Sequence, residues 1–188
     1  QSRPPFGNSD IQDGKRLPTI PSKQPDMSFK LSNRNTLKDM MITPNGAYKT
    51  IRSTGKYGVV DQLNYMRALC VHFIDPIQKQ FPGVIINSGY RDRPAKNGAK
   101  FSAHMIGAAV DLRFAPRPSD GRKHLQIAEW IAKNLPRADQ ILFEKENGRY
   151  WVHIGLVRPS SGAVRGEKMT FLSHKPYGNK SGQVFTFV

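Results

Sequence analysis

Ser102-Ala103-His104-Met105-Ile106-Gly107-Ala108-Ala109-Val110-Asp111-Leu112-Arg113-Phe114 carries a histidine through a glycine turn into a strand. From Ala108 the residues alternate. Val110, Leu112 and Phe114 share one face, and Ala109, Asp111 and Arg113 share the other, as the two-residue period of a strand requires. Asp111 therefore faces away from the apolar side, among small residues, which suits a ligand site that needs room. Further along, His153 sits mid-strand in Tyr150-Trp151-Val152-His153-Ile154. His104, Asp111 and His153 together supply two imidazoles and one carboxylate, the three-ligand set with an open position that a catalytic zinc requires.

The expected partner of the His153 strand is Gln140–Glu144, because Asn147-Gly148 between them is the strongest short hairpin signal in the chain. With these two as the turn, Glu146 pairs with Arg149, Glu144 with Trp151 and Leu142 with His153. Glu144 then shares a face with His153 on the diagonal, at about 7–8 Å. That is too far for both to bind one metal tightly, and right for a carboxylate that reaches a water at the site.

Outward from this centre the chain reads as one domain with flanks. Val59, Leu63, Met66, Cys70, Phe73 and Ile77 recur at spacings of three and four, the apolar stripe of a buried helix that Pro76 kinks or restarts. Gly83–Ser88 reads as a buried strand. Ser119 or Asp120 caps a second helix that turns Leu125, Ala128, Ile131, Ala132 and Leu135 inward and ends before Pro136. A short capped helix is expected over residues 35–41. The order helix, strand, strand, helix, hairpin predicts an α+β domain over residues 31–156, with helices packed on a mostly antiparallel sheet. Residues 1–30, with Pro4, Pro5, Pro18, Pro21 and Pro25, read as a basic extended arm or linker. Residues 157–188 read as a basic Gly/Ser-rich extension, with a strand expected at Gln183–Val188.

Composition narrows the function. The 188 residues are 38% hydrophobic, enough for a core, which excludes wholesale disorder. A single cysteine, Cys70, excludes a disulfide framework and any multi-cysteine zinc site. No stretch approaches the roughly 20 apolar residues of a membrane helix. Gln1 to Pro5 is polar and no apolar run follows, so no secretory signal is expected in this chain. The net charge of +15 favours polyanionic surroundings. Nucleic acid is not the expected partner, because Phe and Trp fall mostly at apolar-periodic positions and not interleaved with basic residues. His72, His124 and His174 lack partner motifs and are expected to be structural, as is Cys70 on its helix stripe.

The segments Ile86-Asn87-Ser88-Gly89-Tyr90-Arg91, then Asn97, then the Ser-x-His-x-x-Gly-x-Ala-x-Asp run at Ser102–Asp111, then Asp139–Glu144 and Trp151-Val152-His153 resemble the zinc D-Ala-D-Ala carboxypeptidases. That family includes phage L-alanyl-D-glutamate endopeptidases, and its fold recurs in hedgehog signalling domains. The resemblance runs from about Leu31 to Leu156. It implies that His104, Asp111 and His153 bind Zn2+, that Glu144 is the catalytic base and that Arg91 holds the substrate or its oxyanion. It also implies substrate contacts from Ser88, Tyr90, Asn97, Ser102 and Trp151. One departure concerns the base. Many members carry a Glu three residues before the last histidine, where this chain has Tyr150; members with a longer spacing place it at Glu144. The resemblance implies a peptidase acting on the peptide stem of bacterial peptidoglycan, in a virion or at the cell envelope. The arm would be free to meet other virion proteins. The alternative is a catalytically silent wall-binding or structural virion module on the same fold.

Overall fold

The computed structural model describes residues 6–96, 98–178 and 185–188. In chain order the elements are β1 (Ile11–Gln12), β2 (Lys15–Arg16), α1 (Leu37–Met40), β3 (Ile42–Thr43), β4 (Gly46–Ala47), α2 (Val59–Leu69), α3 (Asp75–Gln80), β5 (Val84–Ser88), β6 (Ala109–Phe114), α4 (Arg122–Asn134), β7 (Gln140–Glu146), β8 (Arg149–Gly155), β9 (Glu167–Leu172) and β10 (Lys175–Tyr177). The class is α+β, as expected.

The apolar stripe expected from Val59 to Ile77 is a nearly continuous helix. α2 passes into a wider π-type turn at Cys70–Ile74 and then into α3, with Pro76 in the first turn of α3. Proline has no N–H to donate back into the helix, and the wider turn at Cys70–Ile74 lies immediately before α3. Leu63, Met66, Cys70, Phe73 and Ile77 are fully buried. α4 turns Ile127, Ala128 and Ile131 into the same core. The cap position of α4 is Gly121, not the expected Ser119 or Asp120; Asp120, one residue before it, accepts the Arg122 N–H through Oδ1 at 3.0 Å.

The main sheet has the order β10-β9-β7-β8-β6-β5. β5–β6, β6–β8, β7–β8 and β9–β10 pair antiparallel, but β7 and β9 run parallel. The sheet is therefore mixed, which corrects the expectation of a mostly antiparallel one. The physical reason lies in the connection. After β8 the chain passes the Gln140 end of β7 and enters β9 on its far side, antiparallel to β8; because β7 is itself antiparallel to β8, β7 and β9 run parallel. The hairpin β7–β8 has the expected register: Leu142 opposite His153, Glu144 opposite Trp151 and Glu146 opposite Arg149.

The flanks pack on this body. Phe6 and Leu17 are buried, and the Phe6 ring lies 5.0 Å from that of His72. Gln12 Nε2 donates to Asp75 Oδ2 at 2.9 Å. The fully buried Arg67 donates to the carbonyls of Leu31 and Lys30 at 3.0 Å each. At the other end β9 and β10 extend the sheet. Residues 183–184 of the expected terminal strand lie outside the described residues, and Phe185–Val188 form no strand. Phe185 is nevertheless buried, and the Thr186 N–H donates to Thr170 Oγ1 at 2.7 Å.

Candidate metal centre

His104 is fixed from both sides. It lies in a single 3-10 turn, Ala103–Ile106, which Ser102 opens by accepting the His104 N–H on Oγ at 3.2 Å. Gly107 closes the turn at φ 71°. A side chain there would be strained and would press on the Gln62 carbonyl and Met66. The ring is 2% exposed, and its Nδ1 lies 2.7 Å from the Gly89 carbonyl oxygen. A carbonyl only accepts, so Nδ1 carries the proton and Nε2 presents its lone pair. Gly89 itself is required by a close approach: a Cβ there would collide with the Met40 backbone.

Nε2 of His104 faces Asp111 Oδ1 at 3.4 Å. Asp111 stands opposite His153 on β8 and, beyond a bulge, opposite Ser88 on β5. His153 Nδ1 lies 2.9 Å from the same Asp111 oxygen. The three ligand atoms lie within 4.8 Å of one another. A bare imidazole nitrogen turned toward a carboxylate oxygen is a repulsive pair of lone pairs unless a cation lies between them. The donor set and the tautomer therefore fit a metal ion. Burial alone would raise the Asp111 carboxyl, but the two imidazoles outweigh it and hold it well below the usual carboxylate range. Burial lowers the His104 pKa. His153 is also pushed down by burial, but its hydrogen bond and the charge of Asp111 leave it raised.

Glu144 is buried beside this group but is not one of its members. Its Oε2 accepts the Trp151 indole N–H at 2.9 Å. Burial, opposed by the nearby His153, pushes its carboxyl up to about 7, the range in which a base works near neutrality.

Two cavities flank the centre. One, of about 500 Å³, is lined by His104, Glu144 and His153. The other, of about 1030 Å³, is lined by Ser88 and by basic side chains. Arg91 and Trp151 border both. The Arg91 backbone N–H donates to the His104 carbonyl at 3.1 Å, and its buried Nε has no partner among the described residues. Ser88 Oγ is likewise buried and unpartnered among the described residues. Ser102 serves the turn that holds His104. Tyr90 is elsewhere: fully buried in the core, it accepts the Arg52 N–H on its hydroxyl at 2.9 Å and borders neither cavity. Asn97 lies outside the described residues.

Sequence reasoning missed His174 and Phe171. Both line the smaller cavity, and His174 Nε2 lies 2.8 Å from Glu146 Oε2. β9 and the β9–β10 turn bring them there, and no motif in residues 157–188 signals it. His72 and His124 have structural partners as expected: Ser9 Oγ at 3.0 Å and the Phe114 N–H at 3.1 Å.

Fold and site together define an α+β protein with a buried His-Asp-His group able to hold a metal ion. A scan of the sequence against protein-family models finds no match, and a search of curated proteins finds none. No helix among the described residues is long and apolar enough to cross a membrane.

Proposed function

We propose that the chain is a zinc metallopeptidase of the hedgehog/DD-peptidase fold that hydrolyses an amide bond in the peptide stem of bacterial peptidoglycan. The observation that carries the reading is the division of labour at the centre. Three ligand atoms converge within 4.8 Å, while a buried carboxylate, Glu144, faces the same cavity without joining them. Two imidazoles and one carboxylate favour zinc over the harder cations, which prefer all-oxygen sites. Zinc bound there would polarise the scissile carbonyl and lower the pKa of a water toward about 7.

The chain's own residues then have distinct tasks. Gly89 holds His104 in the ligand tautomer through Nδ1. Trp151 orients Glu144 through its indole N–H. Glu144 takes the proton from the attacking water and passes it to the leaving amine nitrogen. Arg91, whose buried Nε is uncommitted among the described residues, offers its planar fork to the developing oxyanion or to a substrate carboxylate. The resemblance of Ser102–Asp111 and its neighbouring segments to the cell-wall peptidases supports the substrate assignment, as does a charge of +15 that would draw the protein to an anionic wall.

The experiment is metal analysis of protein purified without chelator, followed by digestion of purified peptidoglycan with mass analysis of the products. The expected result is one zinc per chain and released stem fragments, both lost in His104→Ala. A metal-free parent as active as its His104→Ala variant would overturn the reading. Retention on the wall with zinc bound and no released fragment would favour the silent module.

A further inference from the structure

Beyond the expected catalytic core, two residues stand in a backbone conformation that side chains disfavour. β9 and β10 pair Leu172 with Lys175, so Ser173 and His174 form a two-residue hairpin turn. Their φ values are 49° and 64°. A turn with both central φ values positive is of type I′, which favours Asn-Gly. The chain uses that pair at its other tight hairpin, where Asn147 and Gly148 have φ 51° and 72°. Ser and His carry a Cβ that crowds the following carbonyl oxygen in this region. Histidine tolerates it better than most residues, but worse than glycine.

The turn is fastened beside the metal centre. The Ser173 N–H donates to the Lys145 carbonyl at 2.9 Å, which ties the turn to β7. Phe171 stands opposite Glu144 in the sheet. Glu146, two residues on from Glu144 and on the same face of β7, meets His174 Nε2 through Oε2 at 2.8 Å. An ionised carboxylate only accepts, so Nε2 carries the proton and Nδ1 is the nitrogen left for another partner. His174 lines the smaller cavity together with Glu144, His104 and His153. Both side chains of the Glu146–His174 pair are 30% exposed. A pair so open to water contributes little to stability, so it does not explain a histidine where glycine would be relaxed. Disfavoured backbone of this kind gathers at sites that need the side chain it carries.

We propose that His174 is a substrate-contacting residue: its imidazole, oriented by Glu146, accepts a backbone N–H of a bound peptide on Nδ1 at the edge of the cavity that holds Glu144. The identity of the peptide rests on the metallopeptidase reading; the role of His174 in holding it does not require turnover.

The test uses the full zinc-loaded chain and synthetic stem peptides at pH 8. Calorimetry reads binding in the Glu144→Gln background, so that turnover does not intervene. Mass analysis reads cleavage with Glu144 in place. Two turn variants are compared. Ser173→Asn improves the turn and keeps His174. Ser173→Asn/His174→Gly installs the favoured turn and removes the imidazole. Both should match or exceed the parent in urea midpoint, since each relaxes the turn, and both should keep the parent's zinc content. Ser173→Asn should bind the peptide as the parent does. The double variant should bind it about three- to tenfold more weakly, the loss of one hydrogen bond between neutral groups. Stability and affinity thus move apart at His174, which a purely structural histidine would not produce. Equal affinity in the double variant would overturn the proposal. So would a fall in its urea midpoint alongside its affinity, or a parent that binds no stem peptide. Binding that depends on His174 without cleavage of any stem peptide would overturn the metallopeptidase reading and uphold the contact. Cleavage and binding indifferent to His174 would do the reverse.

Discussion

At the scale of single residues, Glu144 is the most informative. It shares the cavity of His104 and His153 but accepts its hydrogen bond from Trp151. Glu144→Gln keeps the size and an oxygen for the indole N–H but cannot take a proton. Zinc content and thermal stability should stay close to the parent, while turnover falls by a factor of about 10²–10⁴. Loss of zinc would instead make Glu144 a ligand. His124 supports a prediction about acid stability. Burial, aided by Arg117 and Arg113, lowers its pKa to about 4 from an ordinary value of 6.5. The folded protein therefore holds it neutral while the unfolded chain takes up a proton. The stability this contributes is complete above about pH 6.5 and is lost as the pH falls toward about 4, at up to about 1.4 kcal/mol per pH unit. His124→Gln, which retains an acceptor for the Phe114 N–H, should flatten the pH dependence of urea unfolding in that window. Parallel curves for parent and variant would refute the assignment.

At the scale of elements, the site depends on a strand that follows the expected catalytic core. β9 pairs along β7 from Gln140–Glu167 to Lys145–Leu172. Just before β9, Arg165 donates twice to the buried Asp139 carboxylate, at 2.8 Å to each oxygen. Arg165→Ala would leave that carboxylate buried without its cation, and its destabilisation should approach the roughly 3–5 kcal/mol of a broken buried pair. Because Arg165 is partly exposed, about 2 kcal/mol is the expected lower end. Urea unfolding at pH 7 checks this, and a change below about 0.5 kcal/mol, ordinary for a surface substitution, would show that β9 docks without the pair. The same element explains why His174 and Phe171 face the centre although neither belongs to a motif.

At the scale of the whole molecule, the charge of +15 sets how the protein meets an anionic surface. Exposed charges are screened within about 8–10 Å near physiological ionic strength. Retention on purified wall fragments should therefore weaken steeply as salt rises, whereas cleavage of a short uncharged stem peptide should respond far less. Binding to wall fragments that is indifferent to salt would place recognition in the cavities at the metal centre alone.

The sequence by itself determined the local geometry of the centre. The alternation at Ala108–Phe114 placed Asp111 opposite the core face, and Asn147-Gly148 set the register that puts Glu144 diagonal to His153. Both follow from short-range rules, the strand period and a two-residue turn, which need only neighbouring residues. Only the tertiary structure decided which strands meet. It joined β6 to β8 so that Asp111 faces His153, and brought the Gly89 carbonyl to His104 Nδ1. It also added β9 parallel to β7, removed Tyr90 to the core and packed Phe6 and Leu17 onto the body. These depend on contacts between residues far apart in the chain. Residues 157–178 hold no strong period of their own, and residues 6–30 hold few apolar side chains, so their places were fixed by the surfaces they cover.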